Sequence, residues 1–248
     1  MRRSIRVGGM VCAVVCSFAA RAQTATGMPA RDAAPVDLTG NWVSVVTEDW
    51  AWRMQTPPKG DYASLPLNNE GRRVADLWSE DRDGSCLAFG AVSMLRVPTR
   101  ARISWEDADT LRIETDNGLQ TRRLYFDANT EPPSARSLQG HSIAHWETTA
   151  SGPDGASPTT QVDAPRWASL KVITTGLQAA WLRPNGAPYS QDAVLTEYFD
   201  AFEDGDDSWF SVTTIVEDPT YLSEPLVISS NFKREPDGSN WNARPCKE

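Results

Sequence analysis

Hydrophobic and polar residues alternate along most of the chain after residue 40, which is the pattern of strands with one buried face. The first run of this kind predicts a strand over residues 40–53, with Trp42, Trp50 and Trp52 on one face. Neither face of the run is purely polar. We therefore expect this strand to be buried on one side and partly covered on the other.

The period changes to that of a helix once, after a loop rich in proline and glycine at residues 55–67. Asn68 or Asn69 is suited to cap a short helix that runs to about Asp81. The apolar residues of this helix share one face: Val74, Leu77 and Trp78. We expect that face to pack against the sheet.

From Cys86 onward the chain reads as short strands separated by turn residues. Asn117-Gly118 between two alternating runs is a strong hairpin signal, and Pro184-Asn185-Gly186 marks another turn. Residues 151–166 predict a long irregular loop. The predicted strands cover residues 87–97, 101–106, 110–116, 119–126, 137–148, 167–175, 177–183, 192–203, 208–217 and 225–234.

Short strands in hairpin order are typical of a β-barrel or a β-sandwich. Short, sequential connections favour the barrel. The sequence therefore predicts an all-β fold, an antiparallel up-and-down β-barrel of about 8–10 strands with one short helix after the first strand.

The N-terminal residues have the composition of a signal peptide. Three arginines precede an apolar run at residues 7–20, and small residues follow for cleavage after Ala22. A membrane anchor is the alternative, but the run is shorter than the roughly 18–20 apolar residues that a span needs. We expect a signal peptide over residues 1–22, a flexible leader over 23–36 and a single barrel domain over 37–248, in a periplasmic or secreted protein.

Export changes the net charge and the cysteine count. The full chain has a formal net charge of −9, and loss of four arginines and no acid with the leader makes it −13. Such a field repels nucleic acids and anionic membrane surfaces, so we expect neither as a partner and no stable membrane anchor. The sequence does not identify a partner protein.

The exported chain keeps two cysteines, Cys86 and Cys246. In an oxidising compartment they most simply pair, which would tie the C-terminal tail to the region around residue 86. The competing interpretation is a free catalytic thiol. Neither cysteine has beside it the helix start or basic cluster that activates a thiol.

Gly40-Asn41-Trp42 resembles the Gly-x-Trp motif of lipocalins and the wider calycin group. In that family the tryptophan closes one end of the barrel and a basic residue near the last strand packs across it. The resemblance therefore implies a cation–π contact from Arg234 or Lys233. It also implies a bridge from the tail to the barrel, for which Cys246 and Cys86 are suited. The tryptophan-rich opening is similar to that of a group of exported bacterial proteins.

His141 and His145 are the only histidines. On a helix their spacing would suit one metal ion, but on a strand residues four apart stand about 13 Å from each other. We therefore expect no metal site. Histidines that line a cavity, face solvent or hold structure are the interpretations that remain.

Three glutamates lie inside apolar or aromatic strand runs: Glu48, Glu197 and Glu217. An inward-pointing carboxylate would suit acid–base chemistry or a cationic ligand. The alternative is that each faces outward or pairs with an arginine. Tyr198 and Tyr125 are candidate polar groups in the cavity.

The sequence has no nucleophile elbow, phosphate loop, dinucleotide fingerprint or His-Glu-x-x-His motif, so we expect no cofactor. Aromatic walls suit flat or ring-bearing apolar ligands. The leading hypothesis is an exported lipocalin-like barrel that binds a small hydrophobic or aromatic molecule. The residues proposed to hold this ligand are Trp50, Trp52, Trp146, Tyr198 and Glu197.

Two further hypotheses stay open. One is a lyase, isomerase or cyclase that acts on a hydrophobic small molecule inside the same barrel, with His141, His145 and Glu48 as its catalytic residues. The other is a structural module with a filled interior, which would bind no small ligand.

Overall fold

The computed structural model of the chain describes residues 28–79, 81, 86–148 and 168–246. The signal peptide predicted over residues 1–22 and the loop predicted over 151–166 lie outside these ranges.

The strands are β1 (Gly40–Val45), β2 (Arg100–Trp105), β3 (Thr110–Thr115), β4 (Asn117–Gly118), β5 (Thr121–Tyr125), β6 (His141–Thr148), β7 (Ala168–Thr175), β8 (Ala180–Arg183), β9 (Ala187–Tyr189), β10 (Val194–Asp204), β11 (Asp207–Glu217), β12 (Leu226–Glu235) and β13 (Arg244–Pro245). Nine of them close into a barrel, in the order β1-β12-β11-β10-β7-β6-β5-β3-β2. β1 closes it by pairing with both β2 and β12. The predicted all-β barrel is confirmed.

One neighbouring pair in the barrel is parallel. β5 pairs with β6 through Leu124 opposite Ser142 and Tyr125 opposite Ile143, whereas the other neighbours are antiparallel. Parallel strands need a crossover connection, and residues 126–140 provide it. Hairpin order is broken at this point and holds for β2, β3 and β5 and for β10, β11 and β12.

The described chain has two short α-helices, α1 (Trp50–Arg53) and α2 (Asn69–Ala75). The Asn68 side chain accepts a hydrogen bond from the Gly71 N–H at 2.9 Å, as expected of a helix N-cap. The prediction that the first strand reaches residue 53 is wrong: β1 ends at Val45, and Asp49 adopts a left-handed backbone conformation just before α1.

No helix in the described part of the chain is long and apolar enough to span a membrane.

The prediction of a strand over residues 87–97 is also wrong. This segment, here called the plug, begins with a 3-10 turn at Leu87–Phe89 and continues in turns such as Met94 N–H to Gly90 C=O. Its apolar side chains are buried in two core clusters shared with barrel strands. Residues 90–95 of the plug are buried in succession, and such a run has no periodicity to distinguish a strand from a coiled segment.

Side chains fill the barrel interior. Phe210 lies 4.8 Å from Trp42, 4.7 Å from Phe232 and 6.1 Å from Phe199 between ring centroids, and all four rings are buried. The Arg234 guanidinium lies 4.6 Å above the Trp42 ring. The cation–π contact implied by the lipocalin resemblance is therefore present.

The predicted disulfide joins Cys86 to Cys246, with 5.2 Å between their Cα atoms. The tail beside it forms β13, which pairs in parallel with β4. The bridge thus fixes both the start of the plug and the end of the chain against the barrel.

The plug passes Tyr189 so closely that residue 90 must be glycine. A Cβ atom at Gly90 would lie 2.2 Å from the Tyr189 hydroxyl oxygen and 3.1 Å from the Leu138 carbonyl oxygen. We expect Gly90→Ala to lower the free energy of unfolding by about 1–3 kcal/mol, the cost of overpacking a filled core. Urea denaturation measures this loss.

Tyr189→Phe provides the control, because it removes the oxygen that the new methyl group would meet. The double variant Gly90→Ala/Tyr189→Phe should be more stable than Gly90→Ala alone. If Gly90→Ala lowers the free energy of unfolding equally with and without the Tyr189 hydroxyl, the contact with Tyr189 is not what excludes a side chain at Gly90.

Candidate functional site

The two tryptophans proposed from the first strand have different surroundings. Trp50 is 69% exposed on α1. Trp52 is half-buried, donates its indole N–H to Asp61 at 3.0 Å, and lines a pocket at the mouth of the barrel. Because α1 replaces the predicted strand, side chains two positions apart no longer share a face.

The other proposed ligand-binding residues lie elsewhere on the barrel. Trp146 packs against the main core cluster and lies 5.8 Å from Phe126 between ring centroids. Tyr198 lies on the outer face of β10, with the Lys171 ammonium 5.3 Å above its ring. Glu197 points into the barrel. The structure does not gather these residues around one cavity.

The residues proposed as catalytic are also apart. His141 is buried and stacks on Tyr125 at 5.3 Å between ring centroids, and His145 lies 3.4 Å from Glu147 on β6. Glu48 instead bonds to Arg53 and Arg96 and to Asn231 of β12. Three strands separate β6 from β12 in the barrel.

Glu197 forms an ion pair inside the barrel, which was one of the alternatives left open by the sequence, and its partner is Arg122. Its carboxylate accepts a hydrogen bond from Arg122 Nη2 at 2.5 Å, and each side chain is only 1% exposed. Arg122 also donates to Ser142 at 3.0 Å and to Thr174 at 2.7 Å. Arg122 and Arg123 are adjacent on one strand, so their side chains must point to opposite faces. The sequence could therefore have shown that one of the two arginines points into the barrel.

Two polar groups in the same interior region have no hydrogen-bond partner among the described residues. They are Arg122 Nη1 and the Tyr189 hydroxyl. Burial raises the pKa of Tyr189, so this phenol stays protonated. Arg122, Ser142, Thr174 and Glu197 thus form a buried polar network inside the barrel, in which Arg122 keeps one N–H without a protein partner.

The mouth of the barrel carries a pocket and, next to it, a wider cleft. The pocket has a volume of about 50 Å³ and the cleft about 580 Å³, and both are lined by Arg53, Thr56, Val97 and Pro184. Apolar side chains form much of the pocket wall: Trp52, Leu65, Val97, Leu182, Leu226 and Ile228. The plug, α1, the β8–β9 turn and β12 meet here.

Arginines provide the polar part of this wall. The Arg53 side chain is 2% exposed, bonds to Glu48 and donates from Nε to the Arg96 carbonyl oxygen at 2.9 Å. Arg183 donates to the Ala63 carbonyl oxygen at 2.7 Å, and its guanidinium lies 5.5 Å from the Trp52 ring.

Burial lowers the pKa of these arginines, and Arg53 also lies near the positive charge of Arg96. The pKa of Arg53 falls to about 10, and the pKa values of Arg96 and Arg183 fall for the same reason. An arginine with a pKa of 10 is still protonated near neutral pH. The mouth therefore presents fixed positive charges beside an apolar wall.

Among the described residues, no group of three or more histidine, cysteine, aspartate or glutamate side chains is arranged to hold a metal ion. Comparison of the chain with models of known protein families, with curated proteins and with solved structures finds no match. The inference of function therefore starts from the geometry of the mouth.

Proposed function

We propose that the protein is an exported, lipocalin-like barrel that binds a small hydrophobic or aromatic molecule at its mouth. The observation that carries this proposal is a cleft of about 580 Å³ that shares four lining residues with an apolar pocket beside Trp52. Concave, mostly apolar sites with a few polar groups are typical of small-molecule binding. The filled interior directs the ligand to the mouth instead of the centre of the barrel.

Several observations support the lipocalin-like part of the proposal. The barrel is closed, Arg234 packs on the Trp42 of the Gly-x-Trp motif, and a disulfide ties the tail to the barrel. A disulfide of this kind is stable in an oxidising compartment, which supports export.

The test compares two tryptophans on the same short helix. We expect Trp52→Leu to weaken the binding of ring-bearing probes by about fivefold, because an aromatic wall contributes on the order of 1 kcal/mol beyond the area it buries. Trp50→Leu should leave affinity unchanged, since Trp50 lies outside the pocket lining. Calorimetric titration with 2-naphthoate, 2-naphthamide and N-phenyl-1-naphthylamine measures both affinities.

Near-ultraviolet circular dichroism of each variant checks that the fold is intact. Absence of binding of all three probes to the wild-type protein would refute a ligand site at the mouth. Equal effects of the two substitutions would place the site elsewhere.

A further inference from the structure

We propose that the ligand of the mouth is an anion, an apolar carboxylate whose ring or branched chain lies in the cleft against the apolar wall of the pocket and whose charge faces the arginines. This inference rests on the proposed function. It specifies the chemical class that the site selects among hydrophobic molecules.

The lining of the mouth has a strong charge bias. Four arginines line the pocket and cleft, whereas no aspartate or glutamate is among the described residues that form this lining. The chain as a whole has the opposite bias, with 33 acidic residues against 24 basic ones. The four arginines are Arg53, Arg96, Arg183 and Arg244.

Two of these arginines are already paired within the protein. Glu48 bonds to both Arg53 and Arg96, and Asp49 bonds to Arg96. Even so, Arg53 Nη2 is buried without a hydrogen-bond partner among the described residues. A buried guanidinium N–H that lacks a partner is costly to the protein, and a ligand oxygen would remove that cost.

The other two arginines keep their charge available. In the described part of the chain neither Arg183 nor Arg244 has a carboxylate within ion-pair distance. Arg183 lines the pocket and donates a hydrogen bond to the Ala63 carbonyl oxygen. Arg244 is exposed on β13 and lines the cleft. The charges of Asp49 and Asp61 act on Arg183 from outside ion-pair distance, and Asp61 also accepts the hydrogen bond from Trp52.

The arrangement of Trp52 and Arg183 also favours ligands of a particular shape. The guanidinium lies 5.5 Å from the indole ring, beside the apolar wall. A planar ring can lie against Trp52 while a carboxylate attached to it accepts hydrogen bonds from the guanidinium fork. A neutral molecule of the same shape would gain the apolar contact alone.

The experiment compares 2-naphthoate with 2-naphthamide, which have the same ring and differ in charge. We expect wild-type protein to bind the carboxylate at least about tenfold more tightly, the usual effect of hydrogen bonds to a charged group. Arg244→Met should reduce that preference severalfold, and the remaining preference should fall further as salt rises. Arg183→Met should reduce it by about tenfold.

Arg73→Met is the matched control, because Arg73 is an exposed arginine of α2 that pairs with Glu70 and does not line the mouth. Arg73→Met should change neither the affinity for 2-naphthoate nor the affinity for 2-naphthamide. Since Arg183 is buried, its variant is checked by circular dichroism, and Arg244→Met tests the inference by itself where Arg183→Met fails to fold.

The outcomes separate the two proposals. Equal affinities for naphthoate and naphthamide overturn the inference about charge and leave the ligand site intact. Absence of binding of either probe overturns the site itself. A preference for the carboxylate that survives both Arg183→Met and Arg244→Met shows that other cations hold the anion, and overturns the assignment made here.

Discussion

Glu197→Gln lowers the free energy of unfolding by about 3–5 kcal/mol, because it leaves the Arg122 charge buried and unpaired. The glutamine keeps the size of the side chain and removes its charge. Each side chain of the pair is 1% exposed and the two atoms that join them are 2.5 Å apart, so water cannot screen the loss. Urea denaturation followed by tryptophan fluorescence measures the change.

The neighbouring residue on β5 supplies a matched control. Arg123 pairs with Glu106 at 2.9 Å on the outer face of the barrel, where both side chains are partly exposed. Glu106→Gln should cost no more than about 1 kcal/mol, as is usual for a surface pair. Replacing both buried partners, as in Arg122→Met/Glu197→Leu, should recover much of the stability lost in Glu197→Gln. Equal effects of Glu197→Gln and Glu106→Gln would show that the interior pair is hydrated.

The barrel was predictable from the sequence because its signals are local. Asn117-Gly118 marks the connection between β3 and β5, and the alternation of β10 and β11 shows which of their side chains are buried. The bridge between Cys86 and Cys246 followed from counting the cysteines that remain after the predicted signal peptide. Each of these predictions depends only on residues that are neighbours in sequence or on the number of cysteines. Tertiary packing therefore rarely changes its outcome.

The site was not predictable in the same way, because its walls come from segments distant in sequence. Trp52 follows a left-handed turn at Asp49 that no periodicity reveals, and residues 90–95 of the plug are buried in succession, so they show no alternation of buried and exposed positions. Arg122 and Glu197 are 75 positions apart. Sequence patterns place a side chain on a face of a strand, but only the closed barrel determines which side chains meet.

Removal of the disulfide with Cys86→Ser/Cys246→Ser is expected to lower the free energy of unfolding by about 5 kcal/mol in the chain-entropy model. The two cysteines are 160 residues apart, so the bridge restricts most of the unfolded chain. Chemical reduction of the wild-type protein should lower its thermal midpoint as much as the double substitution does. The same reductant should leave the midpoint of the double variant unchanged, which controls for effects of the reagent.

The bridge also joins the two sides of the proposed ligand site. Ala88 and Phe89 of the cleft lie two and three residues after Cys86, and Arg244 of the same cleft lies two residues before Cys246. Losing the bridge should therefore weaken the binding of 2-naphthoate at temperatures where the barrel remains folded, because the tail that carries Arg244 is then held only by noncovalent contacts, which are the β13 pairing and hydrogen bonds to Asp116. Arg244→Met in the bridged protein separates loss of the charge from loss of its position. Unchanged affinity after reduction, with the barrel intact, would show that β13 holds the tail in place without the disulfide.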